Sequence, residues 1–147
     1  MINTETEKPK VLAICDYIHK NHSFTNIGML KWKLISIIDR FPNRLEYEEE
    51  DGVIRGATIY IKADYETIKR IMDREINIRD YQTFCEMLGK DGNYIQFVII
   101  AADGIKYILK GLRRILEREK PIAICGIRNY IPEQNREDKD SFITIRR

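Results

Sequence analysis

The sequence predicts an α+β fold: a mixed, mostly antiparallel sheet with one central parallel βαβ crossover and flanking helices. First, Asp51-Gly52 lies between two β-prone runs, which is typical of a hairpin turn. Second, the apolar run Tyr94–Ala102 suits a central strand that is covered on both faces. Third, residues 104–119 have helical periodicity and are followed by a second apolar run, residues 122–127. These two runs and the helix between them predict a right-handed unit with parallel strands.

Two helices and the hairpin account for the first 63 residues. Apolar residues at helical spacing predict helices over residues 10–21 and 27–41. The hairpin then pairs Leu45–Glu50 with Val53–Ala63, and Gly56 is expected to mark a β-bulge.

The remaining elements follow from capping residues and from alternation. Asp64 can cap a third helix over residues 65–76, and Tyr81–Leu88 reads as a short fourth helix. After the strand–helix–strand unit, residues 131–140 read as a polar loop and residues 141–147 as an edge strand.

The long helix carries the clearest periodicity in the chain, and Asp103 is expected to cap it. Its apolar spacing predicts an inward face made of Ile105, Ile108, Leu109, Leu112, Ile115 and Leu116.

Length and composition limit the classes of protein. The 147 residues, of which 44% are hydrophobic, predict a single domain over residues 10–147 after a loose leader over residues 1–9. Basic residues number 25 and acidic residues 23, a balance that argues against a dedicated nucleic-acid binder. No apolar run approaches the roughly 18 residues of a membrane span, and the polar N-terminus does not resemble a signal peptide. We therefore expect a cytoplasmic protein with no membrane partner.

Cysteine and histidine spacing does not predict a metal site. Cys15, His19 and His22 would share one face of the first helix, a spacing that could hold zinc. A fourth ligand is not evident, and Cys15 continues an apolar stripe, so a buried thiol is the simpler interpretation. The three cysteines form no CxxC motif, and we expect them to be reduced.

Two charged surfaces of opposite sign stand out. The long helix is rich in Lys and Arg, and the hairpin carries the acidic run Glu48–Asp51 after Glu46. The cationic helix could meet nucleic acid or an acidic protein partner, or the two surfaces could attract each other between copies in a homo-oligomer. Solvated faces of opposite sign are the simpler interpretation. Trp32 lies between two lysines and could anchor a partner, although a half-buried core position is the simpler expectation.

The order of elements resembles that of GNAT-type N-acetyltransferases. The resemblance implies that Tyr94–Ala102 is the acyl-CoA-binding strand, residues 104–119 the pyrophosphate helix and residues 122–127 the strand that splays away. It implies acetyl-CoA as cofactor, bound by Val98, Ile99, Ile100, Gly104, Ile105, Lys106 and Asn129. The string AADGIKYILKGLRRILEREKP also resembles the same region of small GNAT-like proteins encoded by bacteriophages.

The phosphate loop departs from the family pattern. GNAT enzymes have Q/R-x-x-G-x-G/A there, so that backbone amides surround the pyrophosphate. Aligned on Gly104, this chain keeps the first glycine, with Ala101 at the leading position and Lys106 at the last.

The resemblance also suggests catalytic groups. A tyrosine beyond the splayed strand is often the general acid, and Tyr130 is the nearby candidate. Candidates for the base are Glu48 or Glu46 on the hairpin, or Gln96 acting through a water.

Two functions are the leading hypotheses, and nucleic-acid binding through the cationic long helix, which would weaken steeply with salt, is a third. The first is an acyltransferase that moves an acetyl group from acetyl-CoA to an amine of a protein or small molecule. The second is a catalytically silent, phage-encoded GNAT-like protein that binds a virion component or a host factor. A gap between the two parallel strands would favour the first.

Overall fold

The computed structural model describes residues 4–21 and 30–126 together with three short strands near the C-terminus; side chains are described over residues 10–21 and 30–126. The helices are α1 (Thr4–Asn21), α2 (Lys31–Arg40), α3 (Tyr65–Met72), α4 (Tyr81–Leu88) and α5 (Ile105–Glu119). The strands are β1 (Leu45–Glu50), β2 (Val53–Ala63), β3 (Tyr94–Ala102), β4 (Ala123–Cys125), β5 (Tyr130–Ile131), β6 (Arg136–Glu137) and β7 (Phe142–Thr144).

The main sheet has the strand order β1-β2-β3-β4-β7. Strands β3 and β4 are parallel and are joined by α5, whereas the other neighbouring pairs are antiparallel. The predicted α+β fold with one central parallel crossover is therefore confirmed.

The two faces of the sheet carry separate apolar cores. Helices α1 to α4 bury one face, where Ile59 and Ile61 of β2 meet residues such as Ile14 of α1. Helix α5 covers the opposite face, where Ile115 packs with Tyr60 and with residues of β3. Alternation along each strand divides its side chains between the two cores.

A bulge interrupts β3 at Val98. Ile59 of β2 pairs with Ile99, but the next residue, Tyr60, pairs with Phe97, so Val98 is the extra residue. Val98 and Ile99 consequently both join the α1–α4 core, while Phe97 and Ile100 belong to the α5 side. The bulge changes which side chains point to each face in the second half of the strand.

Several element boundaries differ from the sequence predictions. Helix α1 begins at Thr4 rather than at residue 10. Helix α3 ends at Met72 rather than at residue 76, because Arg74 adopts a left-handed conformation with φ of 63°. The bulge expected at Gly56 lies at its neighbour Arg55, since Glu48 pairs with Gly56 and the next residue of β1 pairs with Ile54.

The C-terminal part was predicted less well. Backbone pairing of β5 with β6 forms a small second sheet where a polar loop was predicted, so that prediction is wrong. The edge strand is confirmed as β7, which pairs antiparallel with β4. Strand β4 is shorter than the predicted 122–127, and Ile127 lies outside the described residues. The division into a leader and a domain of residues 10–147 stays a prediction.

The inward face of α5 matches the predicted one only in part. Ile115 is buried and Leu112 packs against the same core, as predicted, whereas Ile105 and Leu109 are 69% and 55% exposed. Gly111 is the other buried residue of the helix. Helix α5 approaches the sheet at Gly111, where an added Cβ would lie 3.8 Å from Thr58 Oγ1. This close approach turns the Ile105–Leu109 side of the helix toward solvent.

Within the described residues, no helix is both long and apolar enough to cross a membrane.

Candidate functional site

Strands β3 and β4 stay paired for only three rows. Their last pair joins Gln96 to Cys125, and β3 then continues to Ala102. Among the described strands, none pairs with the β4 side of β3 over residues 97–102. Within the described residues, the backbone N–H and C=O groups on that edge have no strand partner, so an extended ligand could exchange hydrogen bonds with them. We call residues 97–102 on this side the open edge.

The open strand edge leads directly into the N-terminus of α5. Gly104 is the N-cap residue, with extended backbone angles (φ 175°, ψ 172°) and no side-chain cap. A Cβ placed on Gly104 would meet nothing within 4 Å. The first amides of a helix have no intrahelical acceptor and lie at the positive end of its dipole, so this end of α5 can receive an anion.

Asp103 does not cap α5, contrary to the prediction. The Tyr17 hydroxyl donates to Asp103 Oδ1 at 2.7 Å, and Arg55 Nη1 donates to Oδ2 at 3.0 Å. These bonds, from Tyr17 first and then from Arg55, hold the pKa of Asp103 below its usual value. The carboxylate next to the helix is therefore ionised, but it is paired with a cation and turned toward α1 and β2.

Two lysines lie close to the same helix end. Lys106 Nζ lies 5.3 Å and Lys110 Nζ 6.0 Å from the centre of the Tyr107 ring. Lys106 is also 3.9 Å from Glu50 Oε2, and its side chain is 61% exposed. Both ammonium groups are on long exposed stems and can move toward an anion at the N-terminus of α5.

The predicted ligand-binding residues fall into two groups. Gly104, Ile105 and Lys106 come together at the start of α5, at the end of the open edge. Val98 and Ile99 are 5% and 0% exposed in the α1–α4 core, so β3 can offer a ligand their backbone groups but not their side chains. Ile100 is partly buried on the α5 side, and Asn129 lies outside the described residues.

Glu48 lies elsewhere. It is on β1, in register with Gly56 and through it with Ala102, two strand spacings or about 10 Å from β3. The residue is 6% exposed, and Arg114 Nη1 approaches its Oε1 to 2.6 Å. The structure thus does not bring Glu48 to the gap between β3 and β4.

The other catalytic candidates differ in their distance from the gap. Gln96, 1% exposed, belongs to the last β3–β4 pair and is therefore the nearest of them. The backbone of Tyr130 opens β5, and its side chain is not among those described. The roles of Tyr130 and Glu48 stay predictions.

The two charged surfaces pair with each other inside one chain, rather than between copies or as separate solvated faces. Alternate glutamates of β1 face basic residues of α5: Arg118 lies 2.6 Å from Glu46, and Arg114 lies 2.6 Å from Glu48. The sequence spacing is compatible with this pairing. Glu46 and Glu48 are two apart on a strand and share a face, and basic residues four apart on a helix, such as Arg114 and Arg118, also share a face.

Two other predictions concern side chains away from this site. Cys15 is buried and His19 is exposed, so these side chains do not converge, and His22 lies outside the described residues. No cluster of metal-ligating side chains occurs in the described part of the chain. Trp32 is 60% exposed rather than half-buried in a core, and it contacts Tyr81 edge-on at 5.9 Å.

Comparison with known proteins supports the fold. No protein-family model and no curated protein sequence matches the chain. Among solved structures, it is similar to one described as GphF GNAT-like decarboxylase in complex with isobutyryl-CoA, with a TM-score of 0.58 and 14% sequence identity. The match covers 84% of this chain and 64% of the other chain, so this chain spans less than two thirds of its neighbour's length. At this identity the likeness establishes a GNAT-like fold.

Proposed function

We propose that this protein binds an acyl-CoA and transfers the acyl group to an amine of a protein or small molecule. The observation that carries the proposal is the continuity of the open β3 edge with the uncapped N-terminus of α5. The similar GNAT-like protein is described with isobutyryl-CoA, which supports the same class of ligand. Acetyl-CoA is the simplest candidate donor.

The residues present fit such a ligand. The amides of Ile105 and Lys106 and the open space at Gly104 would receive the pyrophosphate, with Lys106 and Lys110 balancing its charge. Backbone groups of residues 97–102 would bond the amides of the pantetheine arm as an added strand does. When bound, the CoA thioester supplies an acyl group that is activated for attack by an amine.

Acyl transfer needs a base for the amine and an acid for the departing thiolate. Tyr130 is the proposed general acid, which would protonate the departing thiolate. For the base, the position of Gln96 at the last β3–β4 pair favours polarisation of a water there over direct action by Glu48, which Arg114 engages two strands away.

That position of Glu48 also favours a second candidate function. A protein that retains the acyl-CoA site but lacks a base at the gap would bind without turnover and act through a protein partner, as a virion or host-factor ligand would. Acyl transfer requires CoA binding in this geometry, whereas the silent protein requires only its protein partner.

The first experiment is thermal unfolding with and without CoA, acetyl-CoA and isobutyryl-CoA. A ligand at about 100 times its dissociation constant adds roughly 2.7 kcal/mol, which raises the Tm by several degrees for a domain of this size. Gly104→Leu should abolish this rise, because its side chain would occupy the space proposed for the phosphate. It should change the unliganded Tm little, because a Cβ at this position meets nothing within 4 Å. Gly89→Ala at the end of α4 is the control and should retain the rise, since an added Cβ there makes ordinary contacts.

A transfer assay separates the two functions. Release of CoA thiol is followed with a panel of amines. Release of CO2 from a carboxylated acyl-CoA is followed separately, because the similar protein is named a decarboxylase and decarboxylation leaves the thioester intact. Thiol release that depends on an amine supports acyl transfer. CoA binding with neither thiol nor CO2 release, for every donor, supports the silent binding protein. The absence of any Tm shift contradicts acyl transfer and leaves the silent protein, which acts through its partner.

A further inference from the structure

We propose that Tyr17 and Arg55 are positioning residues that hold the Asp103 carboxylate away from the N-terminus of α5, so that the first amides of the helix stay open to an anion. The inference rests on the proposed function, in which that anion is the pyrophosphate of CoA. We call Tyr17 and Arg55 together the Asp103 clamp.

The Asp103 clamp removes a competition that the sequence predicts, between the Asp103 side chain and an anionic ligand for the first amides of α5. Aspartate is a preferred N-cap residue, and its side chain accepts from the amides two and three residues further on. Gly104 is the N-cap in this structure, but if Asp103 took that position, as its sequence predicts, those amides would be Ile105 and Lys106, the groups proposed to receive the phosphate. An unrestrained Asp103 would therefore compete with the ligand by occupying its donors and by repelling its charge.

Both carboxylate oxygens of Asp103 are engaged elsewhere. Tyr17, from α1, donates to Oδ1 at 2.7 Å, and Arg55, from β2, donates to Oδ2 at 3.0 Å. The backbone of Asp103 is fixed as well, because its N–H donates to the Arg55 carbonyl oxygen at 2.9 Å. The Tyr17 hydroxyl also lies 2.9 Å from that carbonyl oxygen. Two elements, α1 and β2, thus hold the Asp103 side chain in a direction other than the cap.

Arg55 lies at a β-bulge. It is the extra residue of β2, between the partners of Glu48 and Glu49 on β1. Bulges are frequent beside functional sites.

The surroundings keep the clamp in its donor form. Burial, and then the hydrogen bond to Asp103, raise the pKa of Tyr17, so the hydroxyl remains protonated at neutral pH. The pKa of Arg55 is raised as well, by its bond to Asp103 first. Tyr107 of α5 and Glu50 of β1 are the other titratable groups that act on Arg55, and both favour its charged form.

The first test needs no ligand. Amide proton shifts of Ile105 and Lys106 are followed by NMR through the acid titration of Asp103. An amide that donates to a carboxylate reports its protonation. In the wild type, we expect these amide shifts not to change when the Asp103 carboxylate is protonated. In the Tyr17→Phe/Arg55→Met variant, we expect them to change with that protonation. If the variant shows no such dependence, the clamp does not restrain a capping carboxylate and the inference is wrong. Arg55→Met alone, expected to show a smaller dependence, is used if the double variant does not fold.

The second test measures CoA affinity by calorimetry. Tyr17→Phe/Arg55→Met should weaken binding about tenfold, the scale of one capping interaction. Adding Asp103→Ala should restore affinity to within about twofold of the wild type, because the freed carboxylate is then gone. Arg70→Met, which removes an exposed ion-paired arginine of α3, controls for the loss of positive charge and should change affinity little.

Failure of this inference is distinguishable from failure of the proposed function. A weakened triple variant, in which Asp103→Ala does not restore binding, would mean that Tyr17 and Arg55 support the fold rather than restrain Asp103. A wild type that binds no CoA would overturn the proposed function, and the amide titration would still decide whether the clamp acts on Asp103.

Discussion

Among the described glycines, Gly92 is the one at which an added methyl group should destabilise the fold most. A Cβ there would overlap the carbonyl group of Ala63 and lie 2.5 Å from the nitrogen of Asp64, so the backbone between β2 and α3 would have to move. We expect Gly92→Ala to lower the free energy of unfolding by about 2 kcal/mol or more, the usual cost of overpacking. Urea unfolding measures this loss of free energy, and Gly89→Ala is the control. Equal unfolding midpoints for the two variants would contradict the close approach of Gly92 to Ala63 and Asp64.

Arg114 should stabilise the fold by pairing with a buried carboxylate. Its guanidinium partners Glu48, whose side chain is 8% exposed, while half of Arg114 itself is open to solvent. Arg114→Met would leave a buried carboxylate without its cation, and we expect a loss of about 1–2 kcal/mol in unfolding free energy. Glu48→Leu/Arg114→Met should lose less than Arg114→Met alone, because it removes both charges. A larger loss in the double variant would show that the pair itself contributes net stability.

At the level of elements, the short helices α3 and α4 depend on aspartate caps. Asp80 accepts from the Thr83 backbone N–H at 3.0 Å and from its hydroxyl at 2.8 Å, and these two bonds, the hydroxyl first, lower the pKa of Asp80. Asp64 caps α3 in the same manner through Thr67. Because the folded pKa is the lower one, the stabilisation is present above the unfolded value near 3.8 and is lost as pH falls through the folded pKa.

Replacing the Asp80 carboxylate by an amide should therefore change acid stability. Asparagine still caps but does not titrate, so Asp80→Asn should match the wild-type Tm near pH 7 and lose less of it between about pH 4 and pH 2. Thr83→Val, which removes the hydroxyl donor, should move the wild-type loss toward higher pH. Parallel Tm-against-pH curves for wild type and Asp80→Asn would contradict this account.

Elements were predictable where local chemistry decides them. The Asp51-Gly52 turn, with φ of 54° and 78°, sets the hairpin, and the predicted bounds of β1, β2, β3 and α4 are those observed. The capping of α5 was not predictable, because Asp103 is diverted by Tyr17, a residue 86 positions away in the sequence. The exposed side of α5 was missed for the same reason: ion pairs with β1 and the close approach at Gly111 orient the helix, and apolar spacing alone does not contain them.

At the scale of the whole molecule, the candidate site is a product of topology. The β3–α5–β4 crossover places an uncapped helix end and an open strand edge side by side, and the bulge at Val98 alters the course of β3 beyond its pairing with β4. The sequence showed the order of these elements, but the point at which β4 leaves β3 depends on the registers of three strands.

This arrangement predicts a distinctive pattern of amide hydrogen exchange along β3. Over residues 94–96 both edges are paired, by β2 and by β4, whereas over residues 97–102 the described strands pair only the β2 edge. Amides of the second half that point away from β2 should therefore exchange much faster than their neighbours in the unliganded protein. Acetyl-CoA should slow these amides selectively, because the pantetheine arm would supply the missing acceptors. NMR exchange on unliganded and saturated protein measures it, with the amides of residues 94–96 as the internal control. Uniform protection along β3 before ligand is added would mean that the edge is closed, and the acyl-CoA site would then have to lie elsewhere.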